Sequence, residues 1–196
     1  MQNAAKIKTF ASIITGYHFR TSPSATNENG IGILQAQHID PERNTIQTGT
    51  IEKIDAELDT HPAILQQNDI VIVARGTSPG SYKASVVDNT PFPVIASSSL
   101  FVIRLQPKAP VTPVFLSMYL NLQQTQQQLF KATTGSAVKS LQKSGLLDLE
   151  IPLVDIETQV QCMQFQSSIQ RYKDNMRRKT LLLEEIFQQY ITTITY

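Results

Sequence analysis

From Ile156 to about Tyr190 the chain carries neither proline nor glycine. Its apolar residues recur every three or four positions: Cys162, Phe165, Ile169, Tyr172, Met176, Leu183, Ile186 and Tyr190. Residues at that spacing share one face of a helix, so the segment is expected to form a single amphipathic helix. At about 1.5 Å per residue the helix is roughly 50 Å long, more than a small domain can cover. Cys162, Ile169, Met176, Leu183 and Tyr190 form one heptad line, and Phe165, Tyr172, Lys179 and Ile186 fill the intervening positions. Lys179 is its one poor member. This pattern favours packing against another helix over burial in the chain's own core. The aromatic members argue against a simple parallel Ile/Leu zipper.

The preceding residues have a different grain. Residues 6–15 read as a short opening element, 16–30 as a polar loop and 31–39 as a half-buried strand. Ile70 to Ala74 is a compact apolar strand, entered through an Asn68-Asp69 turn in which Asp69 suits capping. Strands are expected at 82–87 and 96–105. Thr112-Pro113 starts a helix, with Thr as N-cap and Pro at the first position, running to about Phe130 with its glutamine run solvated. Residues 138–151 lead through a short helix and a strand to Pro152. The expected class is α+β: a strand-rich domain over residues 1–155, then a long helix over 156–196 that packs as an antiparallel coiled coil.

Hydrophobic residues make up 41% of the chain, enough for a core, and the net charge is only +1. No global attraction to nucleic acid follows from that charge. Basic side chains are nevertheless clustered. Lys131, Lys139 and Lys143 have no acid among them, and Arg171, Lys173, Arg177, Arg178 and Lys179 face only Asp174. Such patches suit a DNA contact on one face. The lone Cys162 excludes an internal disulfide and a thiolate metal cluster, and its place in the helix stripe predicts a buried apolar role. No stretch approaches the roughly 18 apolar residues of a membrane span, and the N-terminus lacks a signal-peptide core, so a cytoplasmic protein is expected.

Three stretches carry a family resemblance: IKTFASIITGYHF at the start, LQQNDIVIVARGTSPG in the middle, and TTGSAVKSLQKSGLLDLEIPLVDIETQ before the helix. Together they resemble the DNA-specificity (S) subunit of type I restriction-modification systems. Asn68 stands where that family usually has glycine, and Val154-Asp155 replaces its usual proline pair. Family members usually carry two recognition domains and two long helices. This chain has one of each and looks like a half-subunit.

The resemblance implies a non-catalytic protein without a cofactor. It would read one half of a bipartite site in double-stranded DNA and dock a methyltransferase subunit, with a restriction subunit as a further partner. It also implies that two copies associate as a homodimer through antiparallel helices, at Cys162, Phe165, Ile169, Tyr172, Met176, Leu183, Ile186 and Tyr190.

DNA readers need basic groups on phosphates, and amides and hydroxyls at base edges. Three loops offer them: His18 and Arg20; Arg75, Thr77, Ser78, Ser81, Tyr82 and Lys83; and Lys131, Thr134, Ser136, Lys139 and Lys143. Gln35 and Gln37 are further candidates, because glutamine pairs well with adenine. Each loop also reads as an ordinary solvated turn.

Catalytic patterns are missing. His18, His38 and His61 lack metal-ligand spacing, so zinc is not expected. Gly76 to Gly80 lacks the glycine and lysine spacing of a phosphate loop. Ser97 to Ser99 has no nucleophile-elbow glycines. The sequence carries no methyltransferase motif. The basic run at 171–179 suits acids on a partner helix somewhat better than phosphates of the spacer DNA. A competing expectation is an interaction protein whose helix binds a partner coiled coil without specific DNA recognition.

Overall fold

The computed structural model describes residues 3–19, 30–55, 58 and 60–195. In chain order the strands are β1 (Ala4–Lys6), β2 (Ala11–Thr15), β3 (Ile31–Leu34), β4 (Ile39–Asp40), β5 (Thr45–Ile46), β6 (Lys53–Ile54), β7 (Ile70–Val73), β8 (Arg75–Gly76), β9 (Ala84–Val86), β10 (Val94–Ala96) and β11 (Leu100–Leu105). Helices α1 (Pro113–Leu120) and α2 (Gln123–Lys131) follow. Next come β12 (Thr133–Thr134), β13 (Lys139–Leu141), α3 (Lys143–Leu147), β14 (Glu150–Pro152) and α4 (Ile156–Thr195). This is a mixed α+β domain followed by a long helix.

The centre is an antiparallel sheet in the order β2-β11-β7-β9. Successive side chains of a strand point to opposite faces. Ile70 and Ile72 of β7, with Phe101 and Ile103 of β11, enter one apolar cluster with Phe115, Leu116 and Leu120 of α1 and Leu129 of α2. Val71, Val73, Leu100 and Val102 enter a second cluster with Leu34, Ile51 and Val94. Covering on both faces explains why the Ile70–Val73 run is apolar without alternation. β3 sits between β10 and β6 in a second sheet and is buried at all four positions. It therefore differs from the half-buried strand that its alternation predicts, and it ends at Leu34.

Two expected elements are split. The strand expected at 96–105 turns at Ser97–Ser99, so β10 and β11 lie in different sheets. The helix expected from Pro113 to Phe130 breaks at Asn121-Leu122. Its start is as expected: the Thr112 hydroxyl accepts the Phe115 N–H at 3.2 Å.

The break serves the sheet edge. Asn121 accepts the Ala84 N–H at 2.9 Å and donates to the Ala84 carbonyl at 2.8 Å. Gln126 accepts the Tyr82 N–H at 3.1 Å and donates to the carbonyls of Tyr82 and Leu120 at 2.8 and 2.7 Å. Two side-chain amides thus take the place of a neighbouring strand along β9, an edge that would otherwise leave backbone groups unpaired. Thr125 and Gln126 are buried, which corrects the reading of the glutamine run as wholly solvated.

The Asn68-Asp69 turn has a clear cause. Asn68 has φ +70°, a left-handed conformation that asparagine tolerates and glycine favours. Asp69, only 2% exposed, accepts the Gln66 N–H at 2.8 Å and two bonds from Arg104, at 2.8 and 2.7 Å. It is both a turn cap and half of a buried, two-pronged ion pair.

Candidate nucleic-acid interface

The second and third candidate loops, some sixty residues apart in sequence, meet in one small sheet. β13 pairs with β8 on one side and β12 on the other, with Lys139 opposite Gly76, Ser140 opposite Arg75, and Thr134 opposite Ser140. Gly135 makes the tight turn after β12. Its φ is +108°, and a Cβ there would lie 2.6 Å from the Val138 carbonyl oxygen. Arg75, Thr134 and Ser136 are exposed. Lys139 is half-buried, with its ammonium 4.7 Å from the Phe130 ring centroid. Gln142 donates to the Thr134 hydroxyl at 2.7 Å and fixes it, a contact that no periodic signal in the sequence marks. Lys131 and Lys143 are exposed where α2 ends and α3 begins.

Ala74 ties this ribbon to the rest. Its N–H donates to the Ser99 carbonyl, and its own carbonyl accepts the Leu141 N–H, both at 2.8 Å. The Ser97–Ser99 turn meets the other candidates as well. A shallow depression of about 380 Å³ is lined by Gln35, Gln37, Ser97, Ser98 and Ser99. Tyr17, next to His18, donates its N–H to the Ala96 carbonyl at 2.7 Å. Gly16 permits that approach, since a Cβ there would sit 1.9 Å from the Ser97 carbonyl oxygen. The serine run, expected from the sequence to lie within a strand and to lack a hydrolase elbow, is instead a turn where the candidate segments meet.

His18, Gln35, Gln37, Thr77, Ser78 and Lys83 are exposed. Ser78 and Ser81 bond one another within their own turn: the Ser81 hydroxyl accepts the Ser78 N–H at 3.3 Å. Arg20 lies outside the described residues. Tyr82 is a correction. It is 0% exposed and packs in the first core cluster, so its ring has no path to a ligand. Burial also raises its phenol pKa, with Thr133 pulling the other way. Behind Gln35, the buried His38 ring accepts the Gln35 N–H on Nδ1 at 3.1 Å. Burial lowers the His38 pKa, against smaller opposing effects of the Thr50 backbone and Glu52.

The long helix is mounted at its base. Asp155 caps it, accepting the Thr158 N–H at 2.7 Å, which holds the Asp155 pKa low. Gln159 is 1% exposed; it accepts the Thr112 N–H at 2.8 Å and donates to the carbonyls of Pro110 and Val154 at 2.9 and 3.0 Å. A second attachment lies farther along, where Arg43, from the β4–β5 turn, donates to Asp174 at 2.6 Å and to Asp40 at 3.2 Å. Between them is a cleft of about 530 Å³ lined by Asn44, Val114, Met118, Met163 and Gln170 among others. Cys162 packs against the first core cluster, so it does not belong to the outward seam; the domain covers that face at the helix base. The uncovered seam begins at Phe165, 70% exposed, and continues through Ile169, Tyr172, Met176, Leu183, Ile186 and Tyr190.

Among the described residues, no group of three or more His, Cys, Asp or Glu is placed to hold a metal ion. No helix among them is long and apolar enough to cross a membrane. Exposed polar groups thus gather on a surface ribbon, and the outer part of the long helix carries an open apolar seam.

Residues 4–185 match the family model described as the type I restriction modification DNA specificity domain, and the chain belongs to that family.

The fold agrees. A chain from a structure of type I R-M complex assembly and conformational transition matches with a TM-score of 0.64 at 17% identity, over 90% of this chain and 40% of that one. The HsdS subunit from Thermoanaerobacter tengcongensis matches with a TM-score of 0.63 at 17% identity, over 90% of this chain and 39% of that one. The type IIG restriction endonuclease BpuSI matches at 0.60 and 9% identity, over 84% and 26%. The chain thus spans about two fifths of the length of the first two structures. No curated protein matches its sequence.

Proposed function

We propose that residues 1–155 form a target recognition domain that reads one half of a bipartite site in double-stranded DNA. The observation that carries this reading is the β8–β13–β12 ribbon, which joins Arg75, Thr134 and Lys139 beside the Ser97–Ser99 turn. Arg75, Lys131, Lys139 and Lys143 hold phosphates. His18, Gln35, Gln37, Thr77, Ser78, Ser81, Lys83, Thr134 and Ser136 approach the bases or the sugar-phosphate edge, and Arg20 is a further candidate by its sequence. The chain catalyses nothing alone and docks a methyltransferase subunit in the cytoplasm, as the similarity to chains of type I assemblies supports.

Residues 156–196 pair with the same helix of a second copy, antiparallel, through the seam from Phe165 to Tyr190. Pairing would remove from water apolar side chains that the monomer leaves uncovered, at about 25 cal/mol per Å² of area buried. Two copies then present two reading domains.

Selection from a randomised duplex library by the full chain with a type I methyltransferase subunit tests the reading. It should enrich a two-part motif, and binding should weaken linearly in log affinity against log salt. Arg75→Ala and Lys139→Ala should each flatten that slope by about 0.9. Binding indifferent to both sequence and salt would overturn the half-site reading, and failure to retain any duplex would leave only a protein-binding role.

A further inference from the structure

We infer that Arg43 and Asp174 are positioning residues that set how strictly the paired protein discriminates the distance between its two half-sites. The inference rests on the reading of a paired, two-domain reader proposed above. It starts from how α4 is held. Gln159 fixes one point near the helix base through three partly buried hydrogen bonds. With Cys162 on the core and Met163 against Thr112, these base contacts span only about one helical turn, a short footing from which to fix the direction of so long a rod. The Arg43–Asp174 bond is a second point, 15 residues farther along, or about 22 Å at about 1.5 Å per residue. The cleft between the points shows that the domain does not grip the helix continuously there.

Arg43 is itself held. Asp40 accepts its guanidinium at 3.2 Å, and also accepts the Glu42 and Arg43 N–H groups, each at 3.1 Å. Lys173 and Glu42 add a looser pair at 3.9 Å.

The lever is long. From Gln159 to Thr195 is 36 residues, roughly 54 Å. A pivot of about 5° at the base moves the far end by about 5 Å, more than the roughly 3.4 Å between base pairs along one strand. Partly exposed ion pairs add little to folding stability. This one needs only to suppress a few degrees of swing, and its loss blurs spacing without unfolding the domain.

The test compares the full-length protein with Asp174→Ala and the conservative Asp174→Glu. The probes are library-selected duplexes rebuilt with the spacer one base pair shorter and one longer, plus a duplex carrying a single half-site. The wild type should prefer its own spacer by about tenfold, as for a typical single-step error in a site. Asp174→Ala should cut that preference to about threefold with single-half-site affinity unchanged, and Asp174→Glu should restore it.

A DNA-free measurement accompanies it. One spin label at Asn89→Cys, in a Cys162→Ala background, reports the distance between the domains of two paired copies. The distribution should be narrow for wild type and Asp174→Glu, and broad for Asp174→Ala. Equal widths and equal spacer profiles for all three proteins would overturn the role of Arg43 and Asp174 while leaving the paired reader standing. Absence of any intercopy distance, with no spacer preference in the wild type, would remove the paired reader and this inference with it.

Discussion

The central sheet and the outer part of α4 are both rich in branched and aromatic side chains, and they dispose of them in opposite ways. In β7 and β11 each consecutive apolar residue enters one of two clusters, and none faces water. Along α4 beyond Asp174 the apolar residues are exposed, Leu183 at 57%. The contrast separates two uses of hydrophobic surface. In the sheet it stabilises a fold that one chain completes. In the helix it is left for association, along the length beyond the stretch where Gln159, Cys162 and Gln170 meet the domain.

Breaking the sheet side should give the largest effect. Asp69→Ala strands Arg104 and should cost about 3–5 kcal/mol in urea unfolding. Ile72→Ala, in the first cluster, should cost about 3 kcal/mol by the same measurement. The helix side sharpens the contrast: Leu183→Ala should change the stability of a dilute, unpaired chain by less than about 0.5 kcal/mol, while weakening self-association in sedimentation equilibrium. A loss of stability as large as that of Ile72→Ala would show that α4 folds back onto the domain.

Between these lies the edge of β9. Gln126→Ala leaves the Tyr82 backbone groups unpaired and should cost about 2 kcal/mol.

The smallest effect is a pH dependence. Burial lowers the folded His38 pKa, so the unfolded chain binds more protons just below about pH 6.5, and stability falls as pH drops through that window. His38→Gln should flatten the fall. Asp40 adds a separate loss at lower pH. Burial raises its pKa, but the Arg43 N–H and guanidinium and the Glu42 N–H outweigh that and hold it low. Its contribution is complete above about pH 4 and disappears as the carboxylate protonates.

Much of this architecture can be read from the chain because it is local. The IVIVA run, the Thr112-Pro113 start and the unbroken stretch after Pro152 each depend on neighbours a few residues away. What escaped reading depends on partners far along the chain. Nothing in the glutamine run shows that Gln126 finds the backbone of Tyr82, 44 residues earlier. Nothing in the serine run shows that Ser99 accepts from Ala74 beside the ribbon. Tyr82 looked like a loop residue because glycines, serines and a proline surround it, yet it is core.

The order of polar and apolar residues determined by itself a strand-rich domain, its capped helices and a rod with one greasy line. Tertiary structure alone decided that Arg75 and Lys139 share a ribbon, that Cys162 belongs to the domain and not to the seam, and that Arg43 reaches Asp174. The reason is range. Periodicity and capping act within a turn or two of the chain, whereas a hydrogen bond or ion pair between distant segments exists only once packing has brought them within about 3 Å of each other.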